Sequence, residues 1–255
     1  MSSELLYEVK GRVAWITINR EERRNSISPQ VVELFRKHLD AAEADENARV
    51  VCITGSGARA FCSGADLGGA GAGTTENPEQ AYADLLKRIA GFPKPTVARV
   101  NGYCLAGGTG FMLACDIVVA SDNAKFGTPE VNVGLWPMMI GALIFRNVLE
   151  KKAMEMILLG QRLSAQKALE AGLVTRVVEP EKLDEEVNGI LGDLSGKSPA
   201  GMKIGKQAFY RMRDMEFEQA LDFLAAKIKE VSATEDAKEG ITAFMEKRKP
   251  EFKGR

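Results

Sequence analysis

The chain has 255 residues, 45% of them hydrophobic and 27% charged, which excludes a disordered, collagen-like or coiled-coil polypeptide and supplies enough apolar side chain for one large core. Thirty-four Lys and Arg against 35 Asp and Glu leave a net charge of -1, so no global basic field draws the protein to nucleic acid or to an acidic membrane surface. The single histidine, His38, excludes most histidine-based metal sites, and four cysteines without CxxC spacing point to reduced thiols in a cytoplasmic-type compartment.

The N-terminus, Met1-Ser-Ser-Glu-Leu-Leu6, has neither a basic nor a long apolar stretch, so no secretory signal is expected. Residues 12–19 are rich in β-branched side chains and predict a strand. Ser28-Pro29 then opens a helix, with serine as cap and proline at the first helical position; Val31, Val32, Leu34, Phe35, Leu39 and Ala42 form its buried stripe. Residues 50–54 read as a buried strand, followed by a glycine-rich loop over 55–73, a helix over 81–90 and a strand over 96–100. The most apolar stretch, 103–120, contains Asp116 and three glycines and predicts a buried helix (108–114) followed by a strand (117–120) rather than a membrane span. Strand–helix alternation of this kind implies an α/β core.

Beyond residue 135 strands thin out. Residues 143–159 and 165–171 predict helices, the second opened by Ser164 and closed by Gly172, with one late strand over 174–178. From 183 onward the pattern is helical, with Gly189, Gly192, Gly196 and Gly201 as expected breaks. The expected division is a core over 1–195 and a helical oligomerisation region over 196–255, whose apolar stripe Ala220, Leu221, Leu224 and Ile228 calls for a covering surface.

Two glycine-rich turns could carry chemistry: Phe61-Cys-Ser-Gly-Ala-Asp-Leu67 and Asn101-Gly-Tyr-Cys-Leu-Ala-Gly-Gly-Thr-Gly110. Glycine lets backbone approach a ligand closely, and a helix beginning near Gly108 presents unpaired N–H groups. Together they suit an anion or oxyanion, although packing alone could also require such turns. A nucleotide-binding P-loop does not fit, because Gly108 stands where its lysine would be, and the GxGxxG fingerprint lacks its third glycine. A Ser-His-Asp triad would have to use His38, which lies on an early amphipathic helix.

With Arg24-Asn-Ser26, Phe61-Cys-Ser-Gly-Ala-Asp66, Lys94-Pro95, Ala106-Gly-Gly108, Cys115-Asp116, Phe126-Gly-Thr-Pro-Glu130, Gly134 and Ala171-Gly-Leu173 in this order and spacing, the sequence resembles the crotonase, or enoyl-CoA hydratase/isomerase, family over nearly its whole length. The resemblance implies an α/β fold of repeated ββα units with C-terminal helices, assembly into homotrimers or hexamers, and an acyl-CoA thioester substrate of the kind met in fatty-acid β-oxidation. No separate cofactor or metal is implied, because coenzyme A enters as part of the substrate; neither a nucleic-acid nor a membrane partner is expected. The family's two backbone oxyanion donors map onto Ala65 and Gly107. Ser26, Asp66 and Leu67 match segments lining the coenzyme A channel. Phe244 and Lys247 match C-terminal positions that approach the adenine and 3′-phosphate, in some members from a neighbouring subunit. Arg24, or Arg23, could meet a phosphate; a solvated surface role fits equally.

Glu130 matches one of the family's two hydratase glutamates, and the other falls at Gly110, where the carboxyl is missing. That departure favours Δ3,Δ2-enoyl-CoA isomerisation, which needs one carboxylate, over two-carboxylate hydration. Enoyl-CoA hydratase activity is the alternative, with Glu76, Glu79 or Asp84 as candidate replacement acids; decarboxylation and thioester hydrolysis remain open. A non-catalytic acyl-CoA-binding or RNA-associated relative is the reading from another class. Two further expectations follow: Leu135-Trp-Pro-Met-Met-Ile140 lines the acyl pocket or packs in the core, and Gly110→Glu raises hydration relative to isomerisation unless the glutamate is sterically blocked.

Overall fold

A computed structural model of the chain describes residues 3–66, 68 and 77–255. Strands β1 (Leu5–Lys10) and β2 (Val13–Ile18) form an antiparallel hairpin that turns at Gly11, whose positive φ suits glycine. Helix α1 (Pro29–Ala44) follows. As expected, Ser28 Oγ accepts from the Val31 N–H at 3.1 Å, and Val31, Val32, Phe35, Leu39 and Ala42 are buried; Leu34 is half-buried.

Three repeats then build the centre. They are β3 (Val50–Gly55), β4 (Ala60–Cys62) and α2 (Pro78–Ala90); β5 (Thr96–Val100), β6 (Tyr103–Leu105) and α3 (Gly107–Leu113); and β7 (Ile117–Ser121), β8 (Lys125–Gly127) and a 3-10 turn (Pro129–Val133) leading into α4 (Met138–Asn147). Each repeat gives its first strand to a six-stranded sheet, order β1-β2-β3-β5-β7-β10 with β10 being Arg176–Val178, and its second to a smaller sheet, order β4-β6-β8-β9 with β9 being Leu163–Ser164. Pairing among β2, β3, β5, β7 and β10 is parallel, as are β4–β6 and β6–β8. The remaining elements are α5 (Glu150–Leu159), β9 (Leu163–Ser164), α6 (Ala165–Glu170), β10 (Arg176–Val178), α7 (Leu183–Ser195), α8 (Pro199–Met212), α9 (Phe217–Ala233) and α10 (Glu235–Met245).

The period-2 geometry of a strand explains why β3 is apolar throughout. Val51 and Ile53 face the main core, which also holds α1, α2 and α3, while Val50 and Cys52 face Leu183, Val187, Ile190 and Leu191 of α7. The C-terminal helices are tied back to this core by polar contacts. Lys206 Nζ meets Asp116 Oδ2 at 2.6 Å, Arg49 donates to the carbonyls of Ser195 and Phe252, and the buried Asp236 accepts from Ser198 Oγ and the N–H groups of Lys253 and Gly254.

Several expectations need correction. The predicted helix over 143–159 is two helices, because Val148 and Leu149 are both extended and separate α4 from α5. Gly189 and Gly192 do not break α7: they lie on its open face, where an added Cβ would meet nothing within 4 Å. Gly196 caps α7, and Gly201 sits inside the first turn of α8, its N–H bonded to Ser198 Oγ. Among the described residues no helix is long and apolar enough to cross a membrane.

Candidate active site

Two strand ends of the smaller sheet deliver the two glycine-rich turns to one place. Beyond β4, Ala65 forms an isolated parallel bridge with Ile27: the Ile27 N–H donates to Gly64 O (2.8 Å) and the Asp66 N–H to Ile27 O (3.0 Å). Those bonds use the groups on either side of Ala65 and leave its own N–H without an acceptor among the described residues. Beyond β6, the chain turns at Ala106 and enters α3 with Gly107 as its first residue, whose N–H belongs to the unpaired first turn. The turns touch: a Cβ added at Gly64 would lie 2.6 Å from Ala106 Cβ and 3.3 Å from Gly107 N. A Cβ at Gly108 would lie 2.3 Å from Cys62 O, so glycine is what seats the helix on the end of β4. The expected donors, Ala65 and Gly107, are therefore neighbours.

The carboxyl arrives from β8. Gly127 pairs with Leu105, and its carbonyl accepts from the Ala106 N–H at 2.9 Å, so Thr128-Pro-Glu130 emerges beside the second turn. Glu130 is half-buried in the first turn of the 3-10 helix; its Oε2 is buried without a hydrogen-bond partner, and burial raises its pKa. A pair of neutral donors beside one poised carboxyl can hold a developing oxyanion while a proton moves on a neighbouring carbon.

At Gly110 the steric blockage of a glutamate is what the structure shows. A Cβ there would lie 2.3 Å from Tyr82 Oη, 2.6 Å from Ile140 Cγ2 and 3.3 Å from Leu86 Cδ2, so a glutamate could enter only by displacing α2 or α4 side chains. Nor do the two described replacement acids reach in. Glu79 and Asp84 are exposed on α2, where Asp84 bonds to Gln80 and Lys87; Glu76 lies outside the described residues. Of the 135–140 segment, Pro137 and Ile140 are buried, Ile140 against Gly110; Leu135, Trp136, Met138 and Met139 are exposed.

The residues expected along the coenzyme A channel divide. Ser26 and Asp66 come close to the first turn, but their side chains are committed to a residue that sequence reasoning missed. Arg20, buried, donates to Asp66 Oδ2 (2.7 Å), Ser26 O (2.7 Å) and Ser26 Oγ (2.9 Å) and pairs with Glu4 Oε1 (3.2 Å). That guanidinium holds the Asp66 carboxyl below its ordinary range. The Ser26 N–H and C=O and the Asp66 N–H are also bonded within the protein, to Arg23 O, the Arg20 guanidinium and Ile27 O. Arg24 is exposed with φ of 53°, and its carbonyl accepts from the Ser63 N–H at the first turn. Leu67 lies outside the described residues. Phe244 (84% exposed) and Lys247 belong to α10 and the turn after it, packed chiefly against α8 and α9, so the single chain does not bring them to the turns.

His38 stacks on Tyr7 (5.2 Å between ring centroids), and burial lowers its pKa; it has no place in the site. The cysteines are free, with Cys52, Cys62 and Cys104 fully buried, and burial pushes Cys62 and Cys115 up to about 12. Among the described residues no group of three or more His, Cys, Asp or Glu could hold a metal. Neither Arg20 nor Tyr82 carries a sequence signal, since each sits in a pattern that plain packing also explains.

A family model described as enoyl-CoA hydratase/isomerase matches residues 8–255. A provisionally named enoyl-CoA hydratase of Thermus thermophilus is 37% identical, over 95% of this chain and 98% of its own. The 2,3-dehydroadipyl-CoA hydratase of Escherichia coli is 35% identical, over 99% of this chain and 100% of its own. The crystal structure of an enoyl-CoA hydratase from Bacillus anthracis superposes with a TM-score of 0.93 at 32% identity, covering 99% of this chain and 100% of that one.

Proposed function

The chain belongs to the enoyl-CoA hydratase/isomerase family, and from that membership we propose that this acyl-CoA enzyme isomerises a 3-enoyl-CoA to the 2-enoyl-CoA by a proton shift on Glu130. The observation that carries the reading is the carboxyl that stands alone at the turns among the described residues: Glu130 is half-buried with a free Oε2, and position 110 is a glycine closed off by Tyr82 and Ile140. In the proposed reaction ionised Glu130 takes a proton from C2, the electron pair moves into a dienolate whose negative oxygen lies on the Ala65 and Gly107 N–H groups, and the same proton returns to C4. The double bond ends between C2 and C3 and nothing else is consumed. Removing one such donor typically costs about 3–4 kcal/mol of barrier, so two backbone donors and one base suffice for a substantial acceleration.

A second reading, hydration of a 2-enoyl-CoA, is favoured by the hydratase names of the proteins compared above. It would require Glu130 to take a proton from water and supply the one that ends on C2. The two are separated by incubating the enzyme with 3-hexenoyl-CoA and with crotonyl-CoA and following the enone absorbance. We expect absorbance to rise with the first faster than it falls with the second, and Glu130→Gln to lower turnover by at least about 100-fold with acyl-CoA affinity little changed. Faster loss of crotonyl-CoA would assign hydration instead. Full activity in Glu130→Gln would remove this residue from both readings.

A further inference from the structure

Tyr82 projects from the buried face of α2 to the N-terminus of α3. It is 8% exposed, its ring lies 5.5 Å from that of Phe111 at a 58° tilt, and its hydroxyl donates to the Gly107 carbonyl. The same oxygen stands 2.3 Å from where Cβ of residue 110 would be and 3.3 Å from that of residue 107. One phenol thus fills the space in which a side chain on the first turn of α3 would begin. Burial and the nearby Glu130 both push the hydroxyl's pKa well above its usual value, so it remains a neutral donor.

The turn it grips is strained. Ala106 has φ 50° and ψ -129°, a conformation disfavoured for any residue but glycine, which persists only where the surroundings hold it. The bonds that do so include Ala106 N–H to Gly127 O, Thr109 N–H to Ala106 O, and Tyr82 Oη to Gly107 O, with Thr109 Oγ1 also donating to Cys104 O. The first two are backbone bonds available to almost any sequence. The third depends on a single side chain, and it fixes the residue whose N–H is the second oxyanion donor.

We propose that Tyr82 is a positioning residue that also sets which reaction the site performs: its hydroxyl holds Gly107 in place, and its ring takes the volume beside Glu130 that a second acid or an activated water would need. This rests on the reading of Glu130 as sole proton carrier, and the test keeps the two apart. Tyr82→Phe keeps the ring against Phe111 and removes only the hydroxyl; Tyr82→Leu, a second apolar filler without a hydroxyl, is carried in parallel in case the first folds poorly. The probe is an unreactive, conjugated arylacryloyl-CoA, whose absorbance moves to the red when its thioester carbonyl is polarised by the two N–H groups.

In Tyr82→Phe we expect the red shift to fall by at least about half, kcat for 3-hexenoyl-CoA to fall about tenfold, and probe affinity to change less than about threefold, because the lost bond orients the donor rather than holding the ligand. Tyr82→Ala, which opens the space, is expected to raise the ratio of crotonyl-CoA hydration to 3-hexenoyl-CoA isomerisation at least about fivefold. A Tyr82→Phe protein with an unchanged red shift and kcat within about twofold of wild type would overturn the proposal. Should the wild type prove to be a hydratase, the reaction reading fails, yet the red shift still decides whether Tyr82 positions Gly107.

Discussion

At Glu130 the unpartnered, buried Oε2 and the raised pKa set stability against chemistry. The folded state prefers this carboxyl protonated, so its destabilising effect is absent below the ordinary value of 4.5 and grows as the pH rises through the raised folded value. Proton abstraction needs the ionised form. We therefore expect kcat/KM to fall on the acid side at a higher pH than an unperturbed glutamate would give, as a pH–rate profile would show. Glu130→Gln is expected to melt about 1–3 °C above wild type at pH 7.5 and to lose that advantage near pH 4, by differential scanning calorimetry at both pH values. A variant that melts lower at pH 7.5 would mean that the folded state stabilises the ionised carboxyl after all, against the effect of its burial. Glu130 was legible in the sequence because its neighbours Gly127, Thr128 and Pro129 form a recognisable motif. Tyr82 was not, because a tyrosine on the apolar stripe of an amphipathic helix looks the same whether its hydroxyl is used or merely satisfied.

Among the elements, those with a capping or period signal could be read directly: Ser28 and Ser164 open α1 and α6 as their side chains suggest, and the β-branched run of β3 is buried on both faces. β1 was missed because only Leu5 of its six residues is fully buried, and β4, β6, β8 and β9 have two or three residues each, too few for a pattern to emerge. The α4–α5 break was hidden by an apolar sequence that runs through it. The bridge that sets Ala65 depends on a contact no local pattern reveals, that of Arg20 with the Ser26 and Asp66 backbone-bearing segments on either side of it. Removing one member of a buried charge pair leaves the other uncompensated, so Arg20→Met is expected to lose about 3–5 kcal/mol. That corresponds to a fall in Tm on the order of 10 °C, measured by thermal melting, with partial recovery when Asp66→Asn is added. Since Arg20 depresses the Asp66 pKa, this stabilisation is present above the ordinary 3.8 and is lost as pH falls through the depressed value. A melting temperature within 2 °C of wild type would show that solvent already screens the cluster.

For the whole molecule, Phe217, Leu221, Ile228, Phe244 and Met245 of α9 and α10 are large apolar side chains left more than half exposed. That exposure supports the proposal of a homotrimer or hexamer, and assembly offers a route by which Phe244 and Lys247 of one protomer could approach the turns of another. Sedimentation at micromolar concentration is expected to show a trimer or larger species, with Leu221→Glu shifting it towards monomer; a wild-type monomer throughout that range would refute assembly. The placing of the cysteines has a separate use. Cys52 lies between the large sheet and α7, whereas Cys62 and Cys104 lie in the main core beneath the two turns, and all three are protonated and sealed from solvent. A thiol reagent can reach each only after its own layer has opened. Their alkylation rates therefore act as clocks inside the molecule, one timing the departure of α7 from the sheet and the others the opening of the layer on which Ala65 and Gly107 stand.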